Sequence, residues 1–115
     1  MVWYQQKQNK YNAKSTEYGG LVYHSKKEAA YAQELDLRIK AKDIKSWKRQ
    51  VRIDLKVYGQ HICNYYMDFV ITHNDDSEEY VEVKGFQTEV WRLKWKIFIA
   101  IYEKDYPEIK ITLVT

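Results

Sequence analysis

The residues best suited to chemistry are two carboxylates and a lysine in the second half of the chain. Asp68 lies between Met67 and Phe69, and Glu82 is followed at a spacing of two by Lys84. Side chains two residues apart in a β-strand point to the same face, so Glu82 and Lys84 project together. Charged side chains are rarely buried unless they are paired or bind a metal. If the three groups converge across a hairpin, they outline a metal-dependent phosphodiesterase site.

The strands that carry these residues follow from the pattern of apolar side chains. Apolar and charged residues alternate from Val51 to Val57, which predicts a half-buried strand. Residues 62–72 and 79–86 are predicted as two more strands, and the short polar turn 73–77 makes them antiparallel neighbours. With the turn centred near residues 74–76, Asp68 lies opposite Glu82. A slip of one residue in register would separate them onto opposite faces.

The first half of the chain supplies a hairpin and a helix. Residues 15–23 are predicted to form a small hairpin that turns at Gly19-Gly20. Ser25 and Glu28 have the spacing of a capping box, which opens a helix that runs to about Lys42. Glu28 heads the inner apolar stripe of this helix, which continues through Ala32, Leu35 and Ile39. Glu28 therefore has two interpretations, a helix cap or a residue that reaches a functional cleft.

The remaining elements complete a predicted α/β fold. Residues 46–50 are interpreted as a basic connector, residues 88–104 as a second helix with two adjacent apolar stripes, and residues 109–113 as a final strand. The order is hairpin, α, β, β, β, α, β, with a mixed sheet flanked by the two helices. We expect a basic N-terminal arm over residues 1–13 and a single domain over residues 14–115.

Composition excludes some classes of protein. No apolar run approaches the roughly 20 residues that a membrane span requires. Cys63 is the only cysteine, so no internal disulfide or cysteine-based zinc cluster can form. The start has no hydrophobic signal core, and a cytoplasmic location is expected.

Residues 1–50 carry eleven Lys and Arg against five Asp and Glu, whereas residues 51–115 carry eight against eleven. This asymmetry suits a protein that grips a polyanion, although two ordinary solvated faces would also produce it.

Taken together, the motifs resemble the PD-(D/E)XK nuclease superfamily, and most of all the small phage-encoded endonucleases related to Holliday junction resolvases. The matching segments, which span residues 10 to the end of the chain, are Lys10–Lys14, Ser25–Ala29, Tyr66–Phe69, Val81–Phe86, Thr88 and Trp91–Lys96. Met67 stands where the nominal signature has proline.

The resemblance implies a restriction-endonuclease-like core and a nuclease domain over residues 14–115. It implies that Asp68 and Glu82, with the backbone carbonyl of Val83, hold Mg²⁺, for which Mn²⁺ can substitute. Lys84 would position and help to deprotonate the attacking water, or stabilise the pentavalent phosphate, and Glu28 would complete the site. The implied activity is metal-dependent hydrolysis of DNA, on branched or junction substrates, in phage recombination or packaging within the cytoplasm of a bacterial host.

DNA, a second copy of the chain and no membrane are the expected partners. A dimer is expected because symmetric cleavage of a duplex or junction needs two related sites. Its interface is assigned to the aromatic stripe of the second helix or to the early hairpin. Two alternatives remain open, a non-catalytic nucleic-acid-binding module on the same fold and an assembly protein. The residues expected to contact DNA are Lys7, Lys10, Lys14, Lys26, Lys27, Lys48, Arg49, Thr88 and Lys94.

Overall fold

A computed structural model describes residues 15–115 of the chain. It is an α/β fold with a two-stranded hairpin, a four-stranded mixed sheet and two helices, in the order expected from the sequence. The elements are β1 (Thr16–Tyr18), β2 (Leu21–Tyr23), α1 (Lys26–Lys40), β3 (Ser46–Val57), β4 (Gln60–Thr72), β5 (Glu78–Val83), α2 (Glu89–Asp105) and β6 (Lys110–Val114). The expected N-terminal arm, residues 1–13, lies outside the described residues.

The hairpin β1–β2 turns where the sequence predicts. Tyr18 pairs with Leu21, so Gly19 and Gly20 form a two-residue loop. Their φ angles are +60° and +82°, in the left-handed region that glycine adopts without a steric penalty. Positive φ at both central residues is what a tight hairpin turn requires.

The main sheet has the strand order β3-β4-β5-β6. The first three strands are antiparallel neighbours, as the short connections predict, and β6 pairs in parallel with β5 after the crossover through α2. Consecutive residues of β5 divide between two cores. Val81 packs with Ala32 and Leu35 of α1, whereas Tyr80 packs against Phe98 of α2. The two helices therefore cover opposite faces of the sheet.

The interpretation of residues 46–50 as a connector is wrong, because β3 begins at Ser46. Basic side chains in this stretch obscured the strand pattern, yet Ser46 pairs with Thr72, and Trp47 packs against the core beneath α1. The stretch lies on an edge strand, where charged side chains are common. Strand β3 thus runs beside nearly all of β4.

The pairing of β3 with β4 shifts register between Leu55 and Lys56 and is also interrupted at Gln50. Arg49 pairs with Phe69 and Val51 with Met67, but Gln50, with φ of +50°, and Asp68 form no pair between them. Across the same interval β4 changes the core to which it contributes. Met67 packs in the core of α2, whereas Phe69 packs in the core of α1. A local irregularity of this kind re-aims the side chains around it, and this one coincides with Asp68.

Helix α1 begins where the capping pattern predicts. Ser25 is the N-cap, and its side chain accepts a hydrogen bond from the backbone N–H of Glu28. Ala32 and Leu35 are buried on the inner face as expected, but Ile39 is 36 % exposed, so the extension of the inner stripe to this residue is wrong. Ile44, in the segment after the helix, packs in the core of α1.

Helix α2 places its aromatic stripe against its own sheet. Phe98 is fully buried and stacks on Tyr65 and Tyr80, and the stripe residues Trp91, Trp95 and Tyr102 pack around it. Intramolecular packing thus covers Phe98 and part of Trp91, Trp95 and Tyr102, which does not favour the prediction that this stripe is a dimer face. None of the helices within residues 15–115 has the length and apolar character needed to cross a membrane.

Candidate active site

Three buried carboxylates from three elements lie near the interruption in the sheet, where the charge of Asp68 acts on both Glu28 and Glu82. The register of β4 with β5 pairs Phe69 with Val81, and one further step places Asp68 opposite Glu82, as the sequence predicts. Glu28 reaches the same region from the first turn of α1. All three are nearly buried, with exposures of 7 % for Asp68, 4 % for Glu82 and 4 % for Glu28. Burial of three acidic groups together is unfavourable unless other groups compensate for their charge.

Asp68 is the most firmly held of the three. The backbone N–H of Val83 donates to its Oδ2 at 2.9 Å, and the Gln50 side-chain amide donates to its Oδ1 at 3.0 Å. The first contact ties β4 to β5, and the second spans the gap in the β3–β4 pairing. Gln50 has a backbone conformation that is costly for a residue other than glycine. The strained residue is thus one that positions a candidate metal ligand.

The carboxylate of Glu28 is directed inward. The backbone N–H of this residue donates to Ser25, which is one half of the predicted capping box. Its carboxylate, 5 % exposed, lies with Oε1 3.8 Å from Nη2 of Arg49. The cap is thus made by the backbone of Glu28, and its carboxyl group is left for the buried cluster.

Arg49 lies inside the fold, at the edge of the carboxylate cluster. Its guanidinium stacks over the ring of Tyr23 at 4.2 Å from the ring centroid and donates to the carbonyl oxygen of Val22 at 3.1 Å. These contacts connect β3 with the hairpin and hold a positive charge beside Glu28.

Lys84 follows β5 and places its ammonium among the same groups. Its backbone N–H donates to the carbonyl oxygen of Val114 at 2.8 Å, which continues the β5–β6 pairing. Its Nζ lies 5.0 Å from the ring centroid of Trp91, within the range of a cation–π interaction. The charge of Lys84 lowers the pKa of each of the three carboxyl groups, so the ammonium acts on all of them.

Burial and mutual repulsion nevertheless outweigh the nearby cations. Burial, followed by the charge of Asp68, raises the pKa of Glu82 to about 8 and that of Glu28 to about 7. Burial also raises the pKa of Asp68, although its hydrogen bonds from Val83 and Gln50 act in the opposite direction. Near neutral pH the metal-free cluster therefore carries less negative charge than three free carboxyl groups would. Such displaced pKa values are typical of functional sites.

Three buried polar atoms in this region have no hydrogen-bond partner among the described residues: Oε1 of Glu28, Oε1 of Glu82 and Nε of Arg49. An oxygen left unsatisfied when buried is costly, and two carboxylate oxygens suit a hard cation that retains part of its water shell. The side chains of residues 15–115 do not include a ready-made group of three or more metal ligands. The donor types fit Mg²⁺, with water completing the coordination.

A second layer of residues, which the sequence did not reveal, supports the site. The Tyr65 hydroxyl accepts a hydrogen bond from the indole N–H of Trp91 at 2.9 Å. The same hydroxyl acts on Glu82 and lowers the pKa of its carboxyl group. Neither residue stood out in the sequence, because Tyr65 is one of many strand residues and Gln50 was assigned to a connector. The register of β3 on β4 would have placed Gln50 opposite Asp68, but the conformation of Gln50 could not have been predicted.

The residues expected to contact DNA are scattered around this centre. Lys7, Lys10 and Lys14 lie outside the described residues. Lys26, Lys27 and Lys48 are exposed, and Lys94 is half-buried. Thr88 is the N-cap of α2, where its hydroxyl accepts from the backbone N–H of Trp91.

A cavity of about 340 Å³ lies elsewhere, between α2 and β6. It is lined mainly by apolar side chains, among them Trp95, Ile99 and Ile111, and by none of the candidate catalytic residues. The site is thus identified by its buried charges and its unsatisfied atoms, and not by the size of a cavity.

Comparison with known proteins places the chain in a family. Residues 8–115 match the family model described as "Protein of unknown function (DUF1064)". The chain belongs to the DUF1064 family. Searches of the curated proteins and of the solved structures return no match for it. The match to the DUF1064 model includes every residue of the carboxylate cluster and of its second layer.

Proposed function

We propose that this DUF1064 chain is a metal-dependent DNA endonuclease of the PD-(D/E)XK type. Three features support the proposal: the order of elements, the Asp68 and Glu82-x-Lys84 signature on adjacent strands, and the position of Glu28 at the head of α1. Asp68 and Glu82 stand opposite each other, and Lys84 follows two residues later on the same strand path.

The observation that carries the proposal is the buried grouping of three carboxylates beside one lysine. A surface ion pair contributes only about 0–1 kcal/mol and leaves both charges in water. Here the three acids are less than 10 % exposed, and two of them retain a buried oxygen that has no hydrogen-bond partner within residues 15–115. A fold has little reason to concentrate unsatisfied negative charge in this way unless a cation is to be bound.

The roles of the residues follow from their placement. Asp68 and Glu82 would hold Mg²⁺, with the Val83 carbonyl and Glu28 as the remaining protein ligands suggested by the family resemblance. When bound, the metal favours formation of hydroxide from water and neutralises negative charge that develops on the phosphate. Lys84 places its ammonium where it can orient the attacking water or stabilise charge on phosphorus. Gln50 and the Val83 N–H keep Asp68 in a fixed orientation.

Exposed lysines are proposed to bind the DNA backbone. Lys26 and Lys27 lie at the start of α1, next to Glu28 in sequence, and Lys48 lies on β3 next to Arg49. Phosphate contacts release counterions, so affinity should fall steeply between low and physiological salt. A fluorescence anisotropy titration of duplex DNA at two salt concentrations measures this effect. Affinity that hardly changes with salt would contradict the assignment.

The test of activity is incubation with linear, nicked and four-way-junction DNA in the presence of Mg²⁺, Mn²⁺ or EDTA. We expect cleavage with either metal and none with EDTA. Asp68→Asn keeps the shape of the side chain but removes its charge, and cleavage and metal binding should fall together. Asp75→Asn, in the exposed turn between β4 and β5, is the matched control and should cut normally.

Each outcome of this test separates two functions. DNA binding without cleavage, by a protein that does not bind Mg²⁺ or Mn²⁺, would favour the non-catalytic nucleic-acid-binding module. Undiminished cleavage by folded Asp68→Asn and Lys84→Ala variants would overturn the catalytic assignment. Comparison of the three substrates identifies the form of DNA that the enzyme prefers.

We also propose that the enzyme is a homodimer, because symmetric cleavage requires two related sites. The aromatic stripe of α2 packs against its own sheet and is partly buried there, so we place the interface at the early hairpin. Leu21 and Val22 on β2 are 45 % and 56 % exposed. Light scattering of the wild type and of a Leu21→Ser/Val22→Ser variant tests this. A monomeric wild type that cuts junctions at full rate would contradict the proposal.

A further inference from the structure

The indole of Trp91 is connected to two groups of the proposed site, the carboxylate of Glu82 and the ammonium of Lys84. Its N–H donates to the Tyr65 hydroxyl at 2.9 Å, and the face of its ring lies 5.0 Å from Nζ of Lys84. The Tyr65 hydroxyl in turn acts on the carboxylate of Glu82 and lowers its pKa. One side chain on α2 thus reaches Glu82 through a tyrosine and reaches Lys84 directly.

The side chains of Tyr65 and Trp91 are both held firmly by their neighbours. Tyr65 is 3 % exposed and lies between the rings of Trp95 and Phe98, with centroids at 6.1 and 5.5 Å. Trp91 stacks on Trp95 at 5.5 Å, and its backbone N–H is fixed by the N-cap Thr88. A rotation of either ring would require the surrounding aromatic side chains to repack.

The geometry points to a positioning role for Trp91 and Tyr65, and we propose that they orient Glu82 for cation binding while Trp91 alone restrains Lys84 for the chemical step. This inference rests on the proposed nuclease function. The Tyr65 hydroxyl has one proton to donate, and acceptance of the indole N–H leaves that proton free to be directed at Glu82. Donation of that proton to Glu82 would restrain the carboxylate, whose buried Oε1 has no hydrogen-bond partner among the described residues.

Two functions carried by one residue can be separated by graded substitutions. Tyr65→Phe removes only the hydroxyl that contacts Glu82. Trp91→Phe removes the indole N–H but keeps an aromatic face beside Lys84, whereas Trp91→Leu removes both. Tyr80→Phe is the matched control. Tyr80 lies on β5 and, like Tyr65, packs against Phe98 from the sheet. Circular dichroism and thermal unfolding identify the variants that fold.

The first measurement is the dissociation constant of Mn²⁺ alone, by electron paramagnetic resonance. Loss of a group that orients a metal ligand commonly weakens metal binding by about 10- to 100-fold, and we expect a loss in this range for Tyr65→Phe. Trp91→Phe should weaken binding less, since the hydroxyl remains. The double variant Tyr65→Phe/Trp91→Phe should bind Mn²⁺ no more weakly than Tyr65→Phe alone, because Trp91 acts on Glu82 only through Tyr65.

The second measurement is the single-turnover rate of DNA cleavage at saturating Mn²⁺. Saturation should restore Tyr65→Phe to near the wild-type rate, because only metal affinity was impaired. Trp91→Leu should bind Mn²⁺ like Trp91→Phe but cut about tenfold more slowly, since Lys84 has lost the ring that restrains it. Tyr80→Phe should change neither quantity. A purely structural role would instead lower the stability and the rate of all these variants together.

The outcomes distinguish the inference from the function on which it rests. A wild type that neither binds Mn²⁺ nor cuts DNA would overturn the proposed function and the inference together. A wild type that does both, with a folded Tyr65→Phe that binds Mn²⁺ equally well, would overturn the positioning role alone. Additive losses in the double variant would also contradict it. If Trp91→Leu does not fold, Tyr65→Phe, Trp91→Phe and their combination still decide the effect on Glu82.

Discussion

Replacement of Glu28 by Gln should change how stability depends on pH, and in a direction opposite to that of an ordinary surface acid. Burial raises the pKa of Glu28 from 4.5 to about 7 in the folded protein. Folding raises the pKa of this carboxyl group. Its contribution to stability is therefore fully present at pH values below the unfolded pKa of 4.5, where the group is protonated in both the folded and the unfolded state. That contribution is lost as pH rises through about 7, because the folded protein must then hold a buried negative charge.

The size of the effect follows from the shift. Each pKa unit is worth about 1.4 kcal/mol, so a rise from 4.5 to about 7 corresponds to about 3 kcal/mol. Water that reaches the cluster screens part of this, and we expect about 1–3 kcal/mol. The neutral variant should resemble the wild type near pH 4 and exceed it in stability by that amount near pH 8. Glutamine also serves at the capping-box position, so the start of α1 is preserved.

Urea denaturation of the metal-free protein between pH 4 and pH 8.5 measures the difference. Glu34→Gln, at an exposed position on the same helix, is the control and should track the wild type throughout. Addition of Mn²⁺ at pH 8 should stabilise the wild type more than Glu28→Gln. A stability difference that stays constant across the pH range would refute the buried placement of the carboxylate and leave Glu28 as a helix cap alone.

Three other substitutions test separate parts of the structure. Gln50→Gly should relieve about 1 kcal/mol of backbone strain, which offsets part of the roughly 1–3 kcal/mol lost with the hydrogen bond to buried Asp68. Stability by urea denaturation should therefore fall by no more than about 2 kcal/mol, whereas cleavage should fall because Asp68 loses the amide that orients it. A Gln50→Gly enzyme at full rate would show that this hydrogen bond is dispensable. Phe98→Ala should lower the free energy of unfolding by about 3–5 kcal/mol, since the ring is fully buried between α2 and the sheet; a loss below 1 kcal/mol would contradict this packing. Asp36→Ala should cost about 2 kcal/mol by the same assay, because its carboxylate accepts two hydrogen bonds that join β1 and β3 to α1, and an unchanged stability would show that these bonds are not maintained in solution.

The sequence by itself determined the elements and their order. Alternation of apolar residues marked β4 and β5, the pair Gly19-Gly20 marked the hairpin turn, and Ser25 and Thr88 marked the starts of the helices. These signals are local, because a strand, a turn or a cap is specified by residues within a few positions of one another. The opposition of Asp68 and Glu82 was also accessible, since a short turn fixes the register of a hairpin.

Only the tertiary structure decided which side chains surround those two carboxylates. Gln50 lies 18 residues before Asp68 in the chain, and Trp91 lies 26 residues after Tyr65. Contacts over such separations depend on how whole strands and helices pack, and no local pattern encodes them. The same packing places the aromatic stripe of α2 against its own sheet. It also places the carboxylate of Glu28 near Asp68 and Glu82. Burial then raised the pKa values of the acids, because that shift depends on the exclusion of water by the assembled fold and not on the residue types alone.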